Sequence, residues 1–150
     1  MTIDIADHHA IALWAAVCAE HVLENFERAA PDDPRPREAI EAGRAWVRGE
    51  LKMVDARKFA FASHAAARDA PDAAATAAAR AAGHAAATAH VYTHAPHAAK
   101  YAAASAGKAI ELRPTPTDIP RTAIAREREW QLGQVPEHLR TMAFPPHGTP

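Results

Sequence analysis

The chain consists of helical stretches of apolar residues that are separated by short breaks at proline. In the first stretch, apolar residues recur at three- and four-residue steps, which places them on one side of a helix. These residues are Ile11, Trp14, Ala15, Cys18, Val22 and Phe26. No segment alternates β-branched and polar residues between turn signals, so no strand is predicted. Alanine dominates from about residue 56 to residue 110, which strengthens the helical prediction because alanine is the best helix former.

Prolines and polar caps divide the chain into five to six predicted helices. The first three cover about residues 7–29, 34–49 and 53–70. The fourth starts near residue 72 and runs to Pro96, where the helix kinks or restarts and continues to about residue 112. The last covers about residues 119–133. Asp33 is the expected N-cap of the second helix, with Pro34 in its first position. Gly43, inside that helix, predicts the close approach of a neighbouring helix.

These elements predict an all-α protein with a single domain, residues 1–142, folded as an antiparallel bundle of five to six helices. A short turn opened by Pro136 ends the domain. Residues 143–150 are rich in proline and are expected to form a disordered tail.

Composition and charge narrow the classes of function. A chain of 150 residues with net charge -1 suits one globular domain. The basic residues are interleaved with acids, which argues against a nucleic-acid partner. The first residues lack the features of a signal peptide and no apolar run is long enough to span a bilayer, so we expect a cytoplasmic protein without a membrane partner. Cys18 is the one cysteine, which excludes an internal disulfide, and we expect it to be buried.

The stretch "GHAAATAHVYTHAPHAAKY", residues 83–101, contains His84, His90, His94 and His97. On a continuing helix, His90 and His94 form an i, i+4 pair, a spacing that can hold a divalent transition metal ion. His97 would lie on the same side, although Pro96 leaves its placement open, and His84 would point about 120° away. A third metal ligand would have to come from another helix. The candidates are His64, Asp55, Glu50 and His138.

His64 shares one side of the third predicted helix with Arg57, Phe61 and Arg68. Charged residues rarely line the inner side of a helix without partners. In one interpretation, Arg57 and Arg68 form interhelical salt bridges and His64 is hydrogen-bonded within the bundle. In the other, the two histidine-bearing helices form the wall of a ligand-binding pocket. Its residues would be Arg57, His64, Arg68, His84, His90 and His94.

A pocket of this kind supports either binding or catalysis. His64 and His84 are the candidate catalytic residues, as general acid and base, and Arg57 or Arg68 would hold an anionic ligand. The chain has no glycine-rich phosphate loop, HExxH or CxxC. Ser63 is adjacent to His64, but neighbours on a helix point about 100° apart, so a serine hydrolase is not expected.

Several segments together resemble a bacterial family of putative immunity proteins with the immunity-five-like domain, over roughly residues 11–140. They are "LWAAVCAEHVLENFE", "APDDPRPREAIEAGRAWVRGE", "ARKFAFASHAAAR", "AAGHAAATAHVYTHAPHAAKYA" and "EREWQLGQVPEHLR". The resemblance implies a protein that neutralises a partner toxin, and it carries over no catalytic residues. Positions that match the family include Asp33, Arg35, His64, His84, His90 and His94. His21, Pro96, His97 and residues 113–120 depart from it.

Three functions follow from these observations. The first is an immunity-like protein that binds a toxin, which the resemblance implies for nearly the whole chain. The second is a small-molecule-binding protein or enzyme with a pocket of histidine and arginine, with or without a metal. The third is a structural or oligomer-forming bundle, such as a homodimer, whose interface would be the apolar surface of Trp14, Trp46 or Trp130. A net charge of -1 argues against a very basic nuclease as the partner, because complementary charge steers association.

Overall fold

The structure is a computed structural model that describes residues 2–115 and 118–146. Helices make up its regular structure: α1 Ile5–His21, α2 Leu23–Glu27, α3 Arg35–Val47, α4 Met53–Asp69, α5 Ala73–Ala87, α6 Ala95–Glu111, α7 Pro120–Gln134 and α8 Arg140–Ala143. Short 3-10 turns, Tyr92–His94 and Glu137–Leu139, precede α6 and α8. The all-α class is confirmed. The described residues form eight α-helices, more than the five to six predicted.

The extra helices come from a break in the first predicted helix and from the short α8. The break lies at Val22, whose N–H bonds to the carbonyl of Ala19 instead of continuing the α-helical pattern. Leu23 and Phe26 of α2 remain buried, so the apolar stripe continues across the break. The start of α1 also lies earlier than predicted, because the Asp4 side chain accepts a hydrogen bond from the Ala6 N–H at 2.7 Å.

Two prolines lie near helix starts, where a missing N–H is tolerated. Helix α6 begins at Ala95 and places Pro96 in its first turn, which confirms the predicted restart. Helix α3 begins at Arg35, one residue later than predicted, so Pro34 lies just outside it. The N-cap is therefore Pro34 and not Asp33 as predicted, although the Asp33 Oδ1 accepts a hydrogen bond from the Arg35 N–H at 3.1 Å.

Helix α5 is central and packs against α1, α2, α3, α4 and α6. All of its buried residues are alanine or glycine, and such short side chains allow neighbouring helices to approach closely. A Cβ placed on Gly43 of α3 would lie 3.3 Å from the carbonyl oxygen of Ala85 in α5, which confirms the close approach expected there. Cys18 is buried, as predicted, and burial raises the pKa of its thiol.

Of the three tryptophans considered for a dimer interface, Trp14 is only 3% exposed, so it cannot serve as one. Its Nε1–H donates to the Gln131 carbonyl at 2.8 Å. Trp46 is covered in part by the rings of His8 and His9, and Trp130 by the ring of His21. None of the three therefore presents a fully open apolar surface.

The predicted tail begins with residues that pack onto the domain. Ala143 ends α8 and is buried, and the Phe144 ring lies 5.7 Å from that of Trp14. Residues 147–150 lie outside the described residues. No helix in the described ranges is long and apolar enough to cross a bilayer.

A fully buried glutamine connects α7 to its neighbours. The Gln131 Nε2 donates to the Ala99 carbonyl of α6 at 2.8 Å, and its Oε1 accepts from Arg128 at 3.1 Å. The half-buried Arg128 guanidinium also lies 4.5 Å from the Phe144 ring. A polar side chain is stable at such a buried position only when its hydrogen bonds are formed.

We expect Gln131→Ala to lower the free energy of unfolding by about 2–3 kcal/mol, because it leaves a cavity and removes the partner of a buried carbonyl. Urea denaturation measures this loss. Gln134→Ala, at an exposed position of the same helix, is the control and should change stability by less than about 0.5 kcal/mol. Equal effects of the two substitutions would contradict the proposed role of Gln131.

Candidate functional site

One side of α5 is not covered by the neighbouring helices. Thr76, Arg80, His84 and Ala87 recur at three- and four-residue steps and are partly exposed. Because α5 packs against both α4 and α6, this stripe forms a strip of surface between those two helices. The side chains that contact it come from both.

His84 lies at the centre of a cluster of aromatic rings. Its ring centroid is 5.0 Å from that of His64 on α4, and 5.3 Å from those of His94, His97 and Tyr101. The Nδ1 atoms of His84 and His94 are 3.1 Å apart, and Tyr101 stacks on His84 with an angle of 9° between the rings. We call this cluster the imidazole face, with the members His64, Arg80, His84, His94, His97 and Tyr101.

The turn after α5 brings these histidines together. Helix α5 ends at Ala87, and α6 starts at Ala95 and packs back against α5. The expected orientation of His84, away from His94 and His97, is therefore wrong, since His84 contacts both. His90 lies exposed on the turn, and the helical pair of His90 with His94 is not formed.

Gly83 provides the space that His64 occupies. A Cβ added to Gly83 would lie 2.7 Å from Cε1 and 2.8 Å from Nε2 of the His64 ring. Glycine inside a helix costs about 1 kcal/mol relative to alanine, so its presence in an alanine-rich helix needs a structural reason. The position of the His64 ring supplies it. Periodicity alone did not single out Gly83, although an isolated glycine in an alanine-rich helix was the available signal.

Arg80, four residues before His84, was also missed. Its Nη1 lies 3.1 Å from Nδ1 of His64. A guanidinium only donates hydrogen bonds, so Nδ1 of His64 accepts, and the neutral ring carries its proton on Nε2. Arg80 therefore sets both the orientation and the tautomer of His64.

The interhelical salt bridges considered for Arg57 and Arg68 are not formed. Within residues 2–115 and 118–146, neither of them pairs with a carboxylate, and Arg80 does not either. The Arg57 guanidinium lies 5.7 Å from the Phe61 ring instead. Other arginines do have carboxylate partners, as in the pairs Arg35–Asp33, Arg37–Glu27, Arg44–Glu20, Arg48–Glu50 and Arg126–Asp118.

Burial keeps the central imidazoles uncharged. It is the main cause that lowers the pKa of His84 to about 3, and the repulsion that a protonated His84 would meet from protonated His64 or His94 lowers it further. Burial is also the first cause that lowers the pKa of His64 and of His94. The charges that act on these three rings belong to other histidines and to Arg57, Arg68 and Arg80. The imidazole face therefore combines neutral rings with a positive potential.

These properties bear on the candidate catalytic pair, His64 and His84. General acid–base catalysis is most effective when the pKa of the group lies near the working pH. His84, with a pKa of about 3, is too weak a base to meet that condition. Ser63 is buried, and its hydroxyl donates to the Ala79 carbonyl at 2.8 Å, so Ser63 is not aligned as a nucleophile with His64.

The proposed metal ligands are not assembled. Asp55 lies 3.4 Å from Lys58, Glu50 lies 2.9 Å from Arg48, and His138 lies 2.8 Å from Asp7. None of the three joins His90 and His94. In the part of the chain that the structure describes, no group of three or more histidine, cysteine or acidic side chains is arranged to hold a metal ion.

The fold and this face define a class: an all-α domain whose distinctive surface is basic and rich in imidazole. The family described as Imm-5 like putative immunity protein matches residues 1–138. The chain belongs to that family, which confirms the resemblance seen in the sequence. No curated protein and no solved structure matches the chain.

We expect Gly83→Ala to lower the free energy of unfolding by about 1–3 kcal/mol, although alanine is the better helix former, because the new methyl group displaces His64. Urea denaturation gives the change. In the His64→Ala background the same substitution should stabilise by up to about 1 kcal/mol, since only helix propensity then acts. An equal effect of Gly83→Ala in both backgrounds would show that His64 does not depend on this glycine.

Acid should destabilise the protein through the imidazole face. The folded-state pKa of His84 lies below its ordinary value of 6.5, so below that pH the unfolded chain binds a proton that the folded chain does not. Stability therefore falls as pH decreases, by about 2 kcal/mol for this group between pH 6.5 and about pH 5. Chemical denaturation across that range should show a shallower slope for His84→Asn than for the parent. Thr93→Asn, at an exposed position that carries no ionisable group, should keep the parent slope.

Proposed function

We propose that this protein neutralises a protein toxin by binding it, and that the imidazole face with the adjoining side of α4 forms the contact surface. The family match over residues 1–138 carries the proposal of a toxin partner. The unpaired arginines and exposed aromatic side chains of this surface support its location. Neutralisation by binding requires a complementary surface and no reaction, in keeping with the weak basicity of His84.

The side of α4 next to the imidazole face carries both apolar and basic side chains and is largely exposed. Val54, Arg57, Phe61, His64 and Arg68 lie on it at three- and four-residue steps. Val54 is 53% exposed and Phe61 is 62% exposed. Arginine and aromatic side chains are the residue types that most often dominate the binding energy of protein interfaces.

Tyr101 extends the same surface onto α6. It is 38% exposed and stacks on His84. Among the tyrosine, phenylalanine and tryptophan residues of the described ranges, Phe61 and Tyr101 are the exposed ones. Tyr101 belongs to the imidazole face and Phe61 lies on the adjoining side of α4, which favours this side of the molecule over the others for partner binding.

A small-molecule pocket lined by Arg57, His64, Arg68, His84, His90 and His94 is less well supported. The rings of the imidazole face fill the space between α4 and α6 by contacting one another, and His90 lies on the exposed turn. Two surface hollows of about 440 and 400 Å³ lie elsewhere, at the turn over residues 30–35 and between α3 and α4. A protein partner would contact more of the exposed side chains of this surface than a small molecule would.

The test begins with the tagged full-length protein and lysates of the source cells. A partner captured in stoichiometric amount is identified and expressed in a bacterial host. We expect that partner to arrest growth alone and growth to resume when this protein is co-expressed. A captured partner that is not toxic, or toxicity that this protein does not relieve, would refute the proposed function.

Phe61→Asp should weaken binding of the captured partner by about tenfold or more and abolish the growth rescue, because it removes an apolar contact from the proposed surface. Binding is measured by calorimetry with the purified pair. Leu132→Asp is the matched control, since Leu132 is 38% exposed and lies on α7. It should leave affinity and rescue unchanged, and circular dichroism should show both variants folded.

A further inference from the structure

The imidazole face has an unusual charge environment. The ionisable neighbours that act on its rings are Arg57 and Arg68 from α4, Arg80 from α5, and His90 and His97 from the turn and α6. All of them are bases. The described residues include no carboxylate that forms an ion pair with these arginines.

The acids of the neighbouring segments are already engaged. Asp55 pairs with Lys58, and Asp69 pairs with Arg35. Asp72 caps α5 by accepting a hydrogen bond from the Ala75 N–H at 2.8 Å. The domain therefore does not neutralise this face from within, and Arg80 stays partly buried without a counter-ion. An incoming anion would relieve that unfavourable arrangement.

We propose that the imidazole face receives an acidic segment of the protein partner, whose carboxylates pair with Arg57, Arg68 and Arg80. The inference rests on the proposed function, which makes the partner a protein. Charge complementarity with the arginines makes the segment that binds here acidic. Arginine pairs readily with carboxylates because its planar N–H groups match the two oxygens. Phe61 and Tyr101 supply apolar contacts at the two edges of the surface.

Binding at this face is coupled to proton uptake. A carboxylate beside His64, His84 and His94 favours their charged forms and raises their pKa values from the lowered values of the free protein. The complex therefore binds more protons than its separate components at mildly acidic pH. Affinity rises as pH falls from 7 to about 5.5, a range in which glutamate side chains stay ionised.

Poly-L-glutamate serves as a probe that does not require the toxin. At low ionic strength we expect it to shift the NMR signals of the imidazole Cε1–H groups of His64, His84, His94 and His97. The double variant Arg57→Gln/Arg68→Gln should lose about tenfold or more in affinity for it. Arg121→Gln/Arg140→Gln removes the same charge from exposed arginines outside the face and should change affinity by no more than about twofold. Equal losses in the two double variants would overturn the inference.

Two further measurements sharpen the test. Calorimetry in two buffers of different protonation enthalpy should report net proton uptake on binding poly-L-glutamate, and its absence would overturn the proposed coupling. Poly(U) provides a polyanion with phosphates in place of carboxylates. Poly(U) could bind as tightly as poly-L-glutamate and be weakened equally by Arg57→Gln/Arg68→Gln. That result would overturn the acidic protein segment as the partner of the face in favour of a nucleic acid.

The growth assay separates this inference from the proposed function. If Arg57→Gln/Arg68→Gln folds normally and still rescues growth, the acidic-segment inference fails and the immunity function stands. If poly-L-glutamate binds at the face while the captured partner is not toxic, the proposed function fails. The inference that the face binds carboxylates then still stands. Thermal unfolding monitored by circular dichroism confirms that the variants compared are folded.

Discussion

The close packing of α5 against its neighbours is the constraint on which the rest of the structure depends. An alanine side chain buries little apolar area, so stability has to come from many short contacts and from helices that approach closely. Close approach also brings side-chain hydroxyls to the backbone of the next helix. Ser63 donates to the Ala79 carbonyl at 2.8 Å, and Ser105 donates to that of Ala74 at 2.8 Å. In the described ranges no buried side-chain nitrogen or oxygen lacks a hydrogen-bond partner.

The same packing leaves a single stripe of α5 open, and that stripe carries His84 and Arg80. Here imidazoles are partly buried without acidic partners, and Arg57, Arg68 and Arg80 act on them without forming ion pairs to carboxylates. Such features cost folding free energy, and natural proteins retain them chiefly at functional sites. The concentration of bases around partly buried imidazoles, rather than the absence of ion pairs alone, is the physical reason for assigning function to this surface.

The overall charge of the molecule conceals this local pattern. A net charge of -1 suggests no strong electrostatic preference, and by itself it argues only against a very basic partner. The acids, however, are concentrated in local pairs, such as Glu20 with Arg44 and Glu27 with Arg37, while the imidazole face stays basic. The local potential, rather than the total charge, governs how a partner is oriented on approach. A member of an immunity protein family can therefore be nearly neutral and still select an acidic partner surface.

The sequence by itself determined the features that depend on neighbouring residues along the chain. Apolar periodicity and alanine content established the all-α class, Pro96 marked a helix start, and Gly43 indicated a close helix contact, although the cap predicted at Asp33 lies at Pro34. Only the tertiary structure decided which histidines meet, because the chain reverses after Ala87 and returns His94 and His97 to His84. It also decided that His64 lies over Gly83 and that Arg57 and Arg68 have no acidic partner. Helical periodicity sets the direction of side chains within one helix, whereas contacts between helices depend on how separate segments pack, which no local pattern encodes.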